Sequence, residues 1–242
     1  MKIILSGGGG RLGTELKKLI SPLVAPSIAE WDITKLADCR AVLQKYRPDV
    51  VVHAAAYTNV AKAEQEKDTC RRINVAGTAN VARAMKEVSL LAHLIYISTD
   101  YVFSGDKGNY KEGDVTKPVN FYALTKLEGE KEATRAPHYH IIRTSFKSRP
   151  FEHPRACTDM WTSADYVDVI AKEFALAIGN FDKLPKIIHI ATERKSVYEL
   201  ARRTNPKVEP VKRADIKSVI LPKDTSLSIS RWNKLKETLL RK

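Results

Sequence analysis

Cysteine is scarce in this chain, and what there is stands apart. Cys39, Cys70 and Cys157 are odd in number, widely separated and without histidines at metal-ligand spacing. That excludes a disulfide scaffold and a zinc-finger-like site, and leaves reduced packing residues. No apolar run approaches the roughly 20 residues of a membrane helix. The opening MKIILSGGGG lacks the small-residue cleavage site of a signal peptide and reads as a buried strand meeting a glycine turn, so the expected setting is the cytoplasm. Histidine is also sparse: His138 and His140 flank a strand start, His153 falls in a loop, and no metal is expected. No aromatic-basic platform is present, and nucleic acid is not an expected partner.

Positive charge, by contrast, is in excess. The formal net charge is +13, and between Lys183 and Lys242 there are 16 Lys and Arg against 6 Asp and Glu. A basic lobe attracts anions such as a nucleotide sugar. The same composition also describes a lysine-rich solvated surface of the kind found in heat-adapted proteins.

The 242 residues suffice for one α/β unit, or for a nucleotide-binding domain with a small appendage. Over the first 145 residues short β-branched apolar runs alternate with longer amphipathic stretches. The pattern predicts strands at Lys2 to Ser6, Leu23 to Pro26, Asp49 to His53, His93 to Ser98 and Tyr139 to Arg143. Helices are predicted at Arg11 to Ile20, Thr34 to Tyr46, Asp68 to Ser89 and Asn120 to Arg135. Near-continuous apolar strands such as VVVH and LIYIS imply burial on both faces, hence a Rossmann-type, doubly wound parallel sheet with its site at the carboxyl ends of the strands.

After Arg143 the periodicity fades into TSFKSRPFEHPRACTDMW, read as a loop on the substrate side. A helix near Ala164 to Ile178, a strand at Lys186 to Ile190, a helix at Ser196 to Arg203 and a last helix with Ser228 or Ser230 as N-cap follow. The expected division is a dinucleotide-binding domain over 1–145, rejoined by the helix near 164–178. Residues 146–163 and 183–242 would form a small basic substrate lobe.

Gly7, Gly10 and Gly13 stand at G-x-x-G-x-x-G spacing between the first strand and the first helix. Glycine there lets the backbone approach a pyrophosphate while the helix N-terminus offers free N–H groups. The second strand ends in Ala25, Pro26 and Ser27 without the acidic residue that would accept ribose hydroxyls and repel a 2′-phosphate, so NADP(H) is favoured over NAD(H). Asp32 and Ile33 are placed to meet an adenine; the other reading of Asp32 is a turn residue ahead of Thr34.

The segment YALTK puts Tyr122 and Lys126 four residues apart on one helix face. A tyrosine is a poor acid–base group near neutrality, and a neighbouring ammonium is expected to lower its pKa. Ser98 and Thr99 end a central strand, where a hydroxyl can bond a reacting oxygen while Tyr122 exchanges a proton with it.

The segments GGGGRLG, EWDIT, RPDVVVHAAAYTNVAKAE, INVAGTANVARA, ISTDYVF, KPVNFYALTKLEGE and IIRTS, taken in order, resemble the extended short-chain dehydrogenase/reductases, and within them the dTDP-4-dehydrorhamnose reductase family. The resemblance implies Thr99, Tyr122 and Lys126 as catalytic residues. It implies cofactor contacts from Gly7, Gly10, Arg11 and Leu12, from Asp32 and Ile33, from Ala54, Ala55, Ala56 and Thr58, and from Asn74, Ser98, Tyr122 and Lys126. The implied activity is that of an NAD(P)-dependent oxidoreductase that reduces a keto group on a nucleotide-linked deoxysugar, in dTDP-rhamnose biosynthesis. Nucleotide-sugar dehydratases of the superfamily carry an acidic pair after the catalytic threonine; Asp100 is followed by Tyr101, which disfavours dehydration.

The chain departs from the pattern at His53 (asparagine in the family), Ala61 (aspartate), Trp161 (proline) and Leu221 (arginine). A substrate-side helix expected after Ser145 is missing. Arg143, Arg149 and Arg155 are candidates for a substrate diphosphate. The shortened stretch motivates a second reading, a non-catalytic NAD(P)-binding subunit resembling the regulatory subunit of methionine adenosyltransferase. Helices on the flanks of the sheet leave room for a homodimer.

Overall fold

Strands whose odd and even residues are both apolar must be covered on both faces, and the central sheet is built this way. A computed structural model describes residues 1–88 and 91–241. The chain opens with β1 (Ile3–Ser6), α1 (Arg11–Leu19), β2 (Leu23–Val24), α2 (Leu36–Tyr46) and β3 (Val50–His53). Two short helices, α3 (Val60–Ala63) and α4 (Lys67–Arg71), lead through a π-helical turn at Arg72–Ala76 into α5 (Gly77–Val88). Then come β4 (His93–Thr99), α6 (Phe121–Ala133) and β5 (His138–Thr144).

Beyond β5 the elements shorten to β6 (Phe146–Lys147), β7 (Arg155–Cys157), β8 (Trp161–Thr162) and β9 (Asp165–Tyr166). They are followed by α7 (Val167–Gly179), β10 (Ile187–His189), β11 (Lys195–Ser196), α8 (Val197–Arg202), β12 (Glu209–Val211) and α9 (Ser230–Leu240). The main sheet has the order β10-β5-β4-β3-β1-β2, and every pair in it is parallel. No helix among the described residues is long and apolar enough to cross a membrane.

Residue alternation assigns each strand to two cores. Ile3, Leu5, Val50, Val52, Ile95, Ile97 and Ile142 face one layer with Leu12 and Leu16 of α1 and Ile170, Ala171 and Phe174 of α7. Ile4, Val51, Leu94, Tyr96 and Ile141 face the other, against Val42 and Leu43 of α2 and Val81 and Met85 of α5. The doubly wound α/β expectation is therefore met.

Several boundaries differ from expectation for local reasons. β2 stops at Val24, two residues short, because Pro26 has no N–H for a ladder. α2 starts late because Thr34 donates its N–H to Asp32 Oδ1 (3.0 Å), closing a turn first. The single helix expected over Asp68 to Ser89 is broken in register by the π turn, and its expected end at Ser89 lies outside the described residues. Neither Ser228 nor Ser230 caps α9; Ile229 is the N-cap and the two serine hydroxyls pair with each other at 3.1 Å.

The lobe has its own small core of Phe151, Cys157, Met160, Tyr166, Leu200 and Val208, held by the two-stranded pairings β7–β12 and β8–β11. The described residues form no helix between Thr144 and Val167. The assignment of all of 183–242 to the lobe needs correction. β10 extends the main sheet beside β5, and α9 returns to it through Trp232, buried in the core and donating its indole N–H to Glu173 Oε2 at 2.6 Å. All three cysteines are buried and unpaired.

Candidate active site

Sheet order reverses between β1 and β3, and ligands of doubly wound sheets bind outside the carboxyl ends of the strands at such a point. Three segments converge there: the glycine turn after β1, the alanine run after β3 and the Thr99 end of β4.

Gly7 adopts φ +79°, and a Cβ on it would stand 2.7 Å from the Ala55 nitrogen, so no other residue fits. Gly10 N–H donates to Gly7 O (2.9 Å) and then serves as the N-cap of α1. That cap has no side chain bonding the first-turn N–H groups, and the first turn carries no acid. Free amides and an uncompensated positive helix end are what a pyrophosphate requires. Leu12 is buried in the core below, and Arg11 is exposed, paired with Glu152 of the lobe at 2.7 Å.

After β3 the alanines are tied to β1: Ala54 N–H donates to Ser6 O (3.2 Å) and Ala55 N–H to Ser6 Oγ (3.3 Å). Ala54, Ala55 and Ala56 are half-buried, and Thr58 is exposed. Asn74, on the π turn, accepts from Tyr57 N–H (2.8 Å) and donates to Tyr57 O (3.1 Å) and Thr125 Oγ1 (3.0 Å), clamping this loop to α6.

Asp32 has its carboxylate engaged by Thr34 N–H and Oγ1 and lies 3.5 Å from Lys35 Nζ. The Thr34 hydroxyl foremost holds it below the usual carboxylate range. Ile33 packs against Gly77. No acid stands at Ala25 to Ser27 to repel a 2′-phosphate, and the Asp32 carboxylate is turned onto Thr34 and Lys35. The residues present thus fit a dinucleotide.

Thr99 accepts from Tyr101 N–H (3.2 Å) and donates to Asp100 Oδ1 (3.2 Å). Tyr122 sits one residue into α6, whose N-cap Asn120 accepts from Ala123 N–H at 2.9 Å. Burial raises the Tyr122 phenol well above its ordinary pKa, with the facing Thr99 hydroxyl acting in the opposite direction. The expectation that Lys126 lowers this pKa is not met. The Lys126 ammonium instead donates to Ile97 O (2.7 Å) and lies 4.1 Å from the centre of the Tyr96 ring. Its own pKa is pulled down to about 7 by burial, with Glu130 opposing.

Two expected contacts are committed elsewhere. Ser98 Oγ donates to Glu130 Oε1 at 2.5 Å, so its side chain braces the interior. Arg143 is buried and bidentate on Glu130 (2.9 and 2.8 Å), which removes it as a diphosphate ligand. Arg149 pairs with Asp168 through Nε alone (2.9 and 3.0 Å) and stays exposed. Arg155 remains exposed at the start of β7.

Asp100 was unassigned from sequence. It is buried with only hydroxyls bonded to it, Thr225 at 2.7 Å and Thr162 at 3.4 Å from Oδ2, and burial pushes it up to about 6. Because Thr162 and Thr225 belong to the lobe, this carboxyl joins the lobe to the strand end that carries Thr99. A signal existed in the polar run of Asp224, Thr225 and Ser226, all of them buried. Beside α6 an open cleft of about 700 Å³ is walled by Phe121, Leu124, Ile216 and Ile220, with Arg213 and Lys217 also lining it.

Comparison with known proteins identifies the family and the fold. The family model described as RmlD substrate binding domain matches residues 1–174. The dTDP-4-dehydrorhamnose reductase of Escherichia coli K12 is 36% identical over 157 residues, covering 60% of this chain and 51% of that protein. That of Mycobacterium tuberculosis H37Rv is 35% identical over 155 residues, covering 60% and 50%. The chain thus spans about half the length of the curated relatives it matches. Among solved structures, the Bacillus anthracis dTDP-4-dehydrorhamnose reductase in complex with NADP superposes with TM-score 0.86 at 28% identity, covering 100% of this chain and 98% of that one. A hypothetical dTDP-4-dehydrorhamnose reductase from Sulfolobus tokodaii gives 0.84 at 31% identity, covering 97% and 94%.

Proposed function

Because the chain belongs to the RmlD substrate binding domain family, we propose that it is an NADP(H)-dependent reductase acting on the keto group of a nucleotide-linked 4-keto-6-deoxysugar. What supports this reading is the Thr99 hydroxyl facing the Tyr122 phenol, with the Lys126 ammonium on Ile97 O of the same strand, in a sheet whose first glycine turn leaves the helix N-terminus uncapped. When bound, NADPH supplies the hydride.

The residues supply the rest. Thr99 Oγ1 orients the carbonyl oxygen, and Tyr122 O–H donates the proton that turns the developing alkoxide into a hydroxyl. A phenol held protonated by burial is the right state for a donor in the direction of reduction. Lys126, fixed on Ile97 O, presents its charge beneath this centre and is available to the nicotinamide ribose. Gly7, Gly10, Arg11 and Leu12 line the pyrophosphate turn, and Ala54, Ala55, Ala56 and Thr58 border the cofactor channel. Asp32 and Ile33 border the adenine end, while Asn74 and Ser98 act from behind, one by holding the loop and the other by holding Glu130. The cleft between α6 and residues 213–221 offers apolar walls and two cations to a nucleoside diphosphate.

The test is NADPH oxidation with dTDP-4-keto-6-deoxysugars, compared with Tyr122→Phe. Turnover lowered by roughly 100-fold or more in the variant supports the reading. Stabilisation by NADPH without any turnover above Tyr122→Phe would replace it with the cofactor-binding regulator, a reading the missing helix before Val167 favours.

A further inference from the structure

Tyr122, Lys126 and Glu130 recur every fourth residue of α6, so all three lie along the face that runs beside the carboxyl end of β4. Lys126 is 3% exposed and Glu130 4%. The ammonium touches only the Ile97 carbonyl and the face of Tyr96, and among the described residues no carboxylate pairs with it directly. A buried ammonium so thinly solvated tends to lose its proton.

The nearest compensation is one turn further on. Glu130 Oε1 accepts from Ser98 Oγ and Arg143 Nε, and Oε2 accepts from Arg143 Nη2 at 2.8 Å. Ser98 and Arg143 stand opposite each other in the β4–β5 register, so the ladder itself sets the two donors side by side under α6. Arg143 is anchored in turn to Glu112 O at 3.2 Å. The carboxylate is therefore fixed in place by three donors, and it is foremost among the charges that hold the Lys126 proton on.

We propose that Glu130 is a positioning residue of this site: held on Ser98 and Arg143, it keeps the buried Lys126 ammonium charged at the strand end that carries Thr99. The inference rests on the reductase reading only in giving Lys126 a part in the chemistry. The competing account is a plain brace, in which the Glu130–Arg143 pair ties α6 to β5 and leaves Lys126 unaffected.

Titration of the Lys126 side-chain nitrogen by ¹⁵N NMR in the full-length chain, assigned with Lys126→Met, separates the two. Glu130→Gln is expected to lower the midpoint by about one pH unit or more, the effect of removing one nearby opposite charge. Arg143→Lys loosens the brace but leaves the carboxylate ionised, and its midpoint stays with the wild type. Should Glu130→Gln fail to fold, the double variant Glu130→Gln/Arg143→Gln avoids stranding the buried Arg143 charge and is expected to show a smaller fall in the same direction, since a cation is removed together with the anion. Midpoints unchanged in both Glu130 variants, or a shift in Arg143→Lys as large as that in Glu130→Gln, would overturn the proposal. No substrate enters the titration, so failure of the sugar assay would remove the reductase reading and leave this result standing.

Discussion

Replacing Gly13 by alanine sets two effects of opposite sign against each other, and the structure decides between them. In an ordinary helix interior the change is worth about 1 kcal/mol in favour of the folded state. In α1, however, a Cβ at this position would stand 2.7 Å from the Gly8 Cα and closer still to the Gly7 carbonyl oxygen. Both obstacles are backbone of the phosphate turn, and neither can rotate away as a side chain could. The helix must therefore move off the turn, at an overpacking cost of about 1–3 kcal/mol. The same displacement pulls Gly10 N–H from Gly7 O and misaligns the free amides of the first turn. The expected outcome is a net loss of roughly 1 kcal/mol, equivalent to about 2–4 °C in a chain of this size, together with NADPH affinity weakened roughly tenfold, or about 1.4 kcal/mol.

Gly179 is the internal control. It is exposed in the last turn of α7 with nothing within 4 Å of the added Cβ, so Gly179→Ala should leave NADPH binding alone and hold or raise the melting temperature. Differential scanning fluorimetry with and without NADPH measures both quantities in one series. If Gly13→Ala melts higher than the wild type and still binds NADPH as tightly, the close-approach reasoning fails.

His53, buried between Ser6 Oγ (2.7 Å) and Thr78 Oγ1 (3.1 Å), is pulled down to about 3 by burial, with Lys126 second. A base with a depressed folded pKa binds fewer protons when folded, so its share of stability is full above about pH 6.5 and is lost as pH falls toward 3. His53→Asn should flatten the acid limb of a stability–pH curve by up to about 1.4 kcal/mol per pH unit; parallel limbs in wild type and variant refute this. Thr225→Val removes the 2.7 Å donor to buried Asp100 and should cost about 1.5–3 kcal/mol, read by urea unfolding. Trp232→Ala strips α9 of its core anchor and should cost about 3–5 kcal/mol, yet leave NADPH binding intact in the cold, since no cofactor residue lies on α9; an affinity loss would show the helix to be part of the site.

The nucleotide-binding half was legible because its signals are local. Alternation in VVVH and LIYIS fixes both faces of a strand, and the glycine spacing follows from one turn meeting one helix. Thr99, Tyr122 and Lys126 were proposed from signals just as local, a strand end and a four-residue helix spacing. What was missed depends on pairing across the fold. Nothing near Arg143 says that β5 register sets it beside Ser98 and under Glu130, so it looked like a free cation. The orientation of Lys126 toward Ile97 O is likewise a matter of how α6 leans on β4. In the lobe the two-residue strands β6, β8, β9 and β11 are too short for any periodicity to register. Trp232, which takes α9 back to the main sheet, is the buried residue of a helix whose leucines are half-buried or exposed.

Two polar contacts tie the lobe to the nucleotide-binding half: Arg11 of the phosphate turn reaches Glu152, and Asp100 gathers Thr162 and Thr225 next to Thr99. The first is exposed and worth little; the second is buried and lies beside Thr99. A carboxyl raised from 3.8 to about 6 binds more protons when folded, so the protonated form favours folding below about pH 4, and that advantage is lost as pH rises through 6. Above pH 6 the latch works as a carboxylate accepting hydroxyl bonds, and below it as an acid that can also donate one. The same carboxyl is bonded to the lobe and to Thr99, so a change in its protonation reaches the lobe and the hydroxyl proposed to orient the carbonyl together.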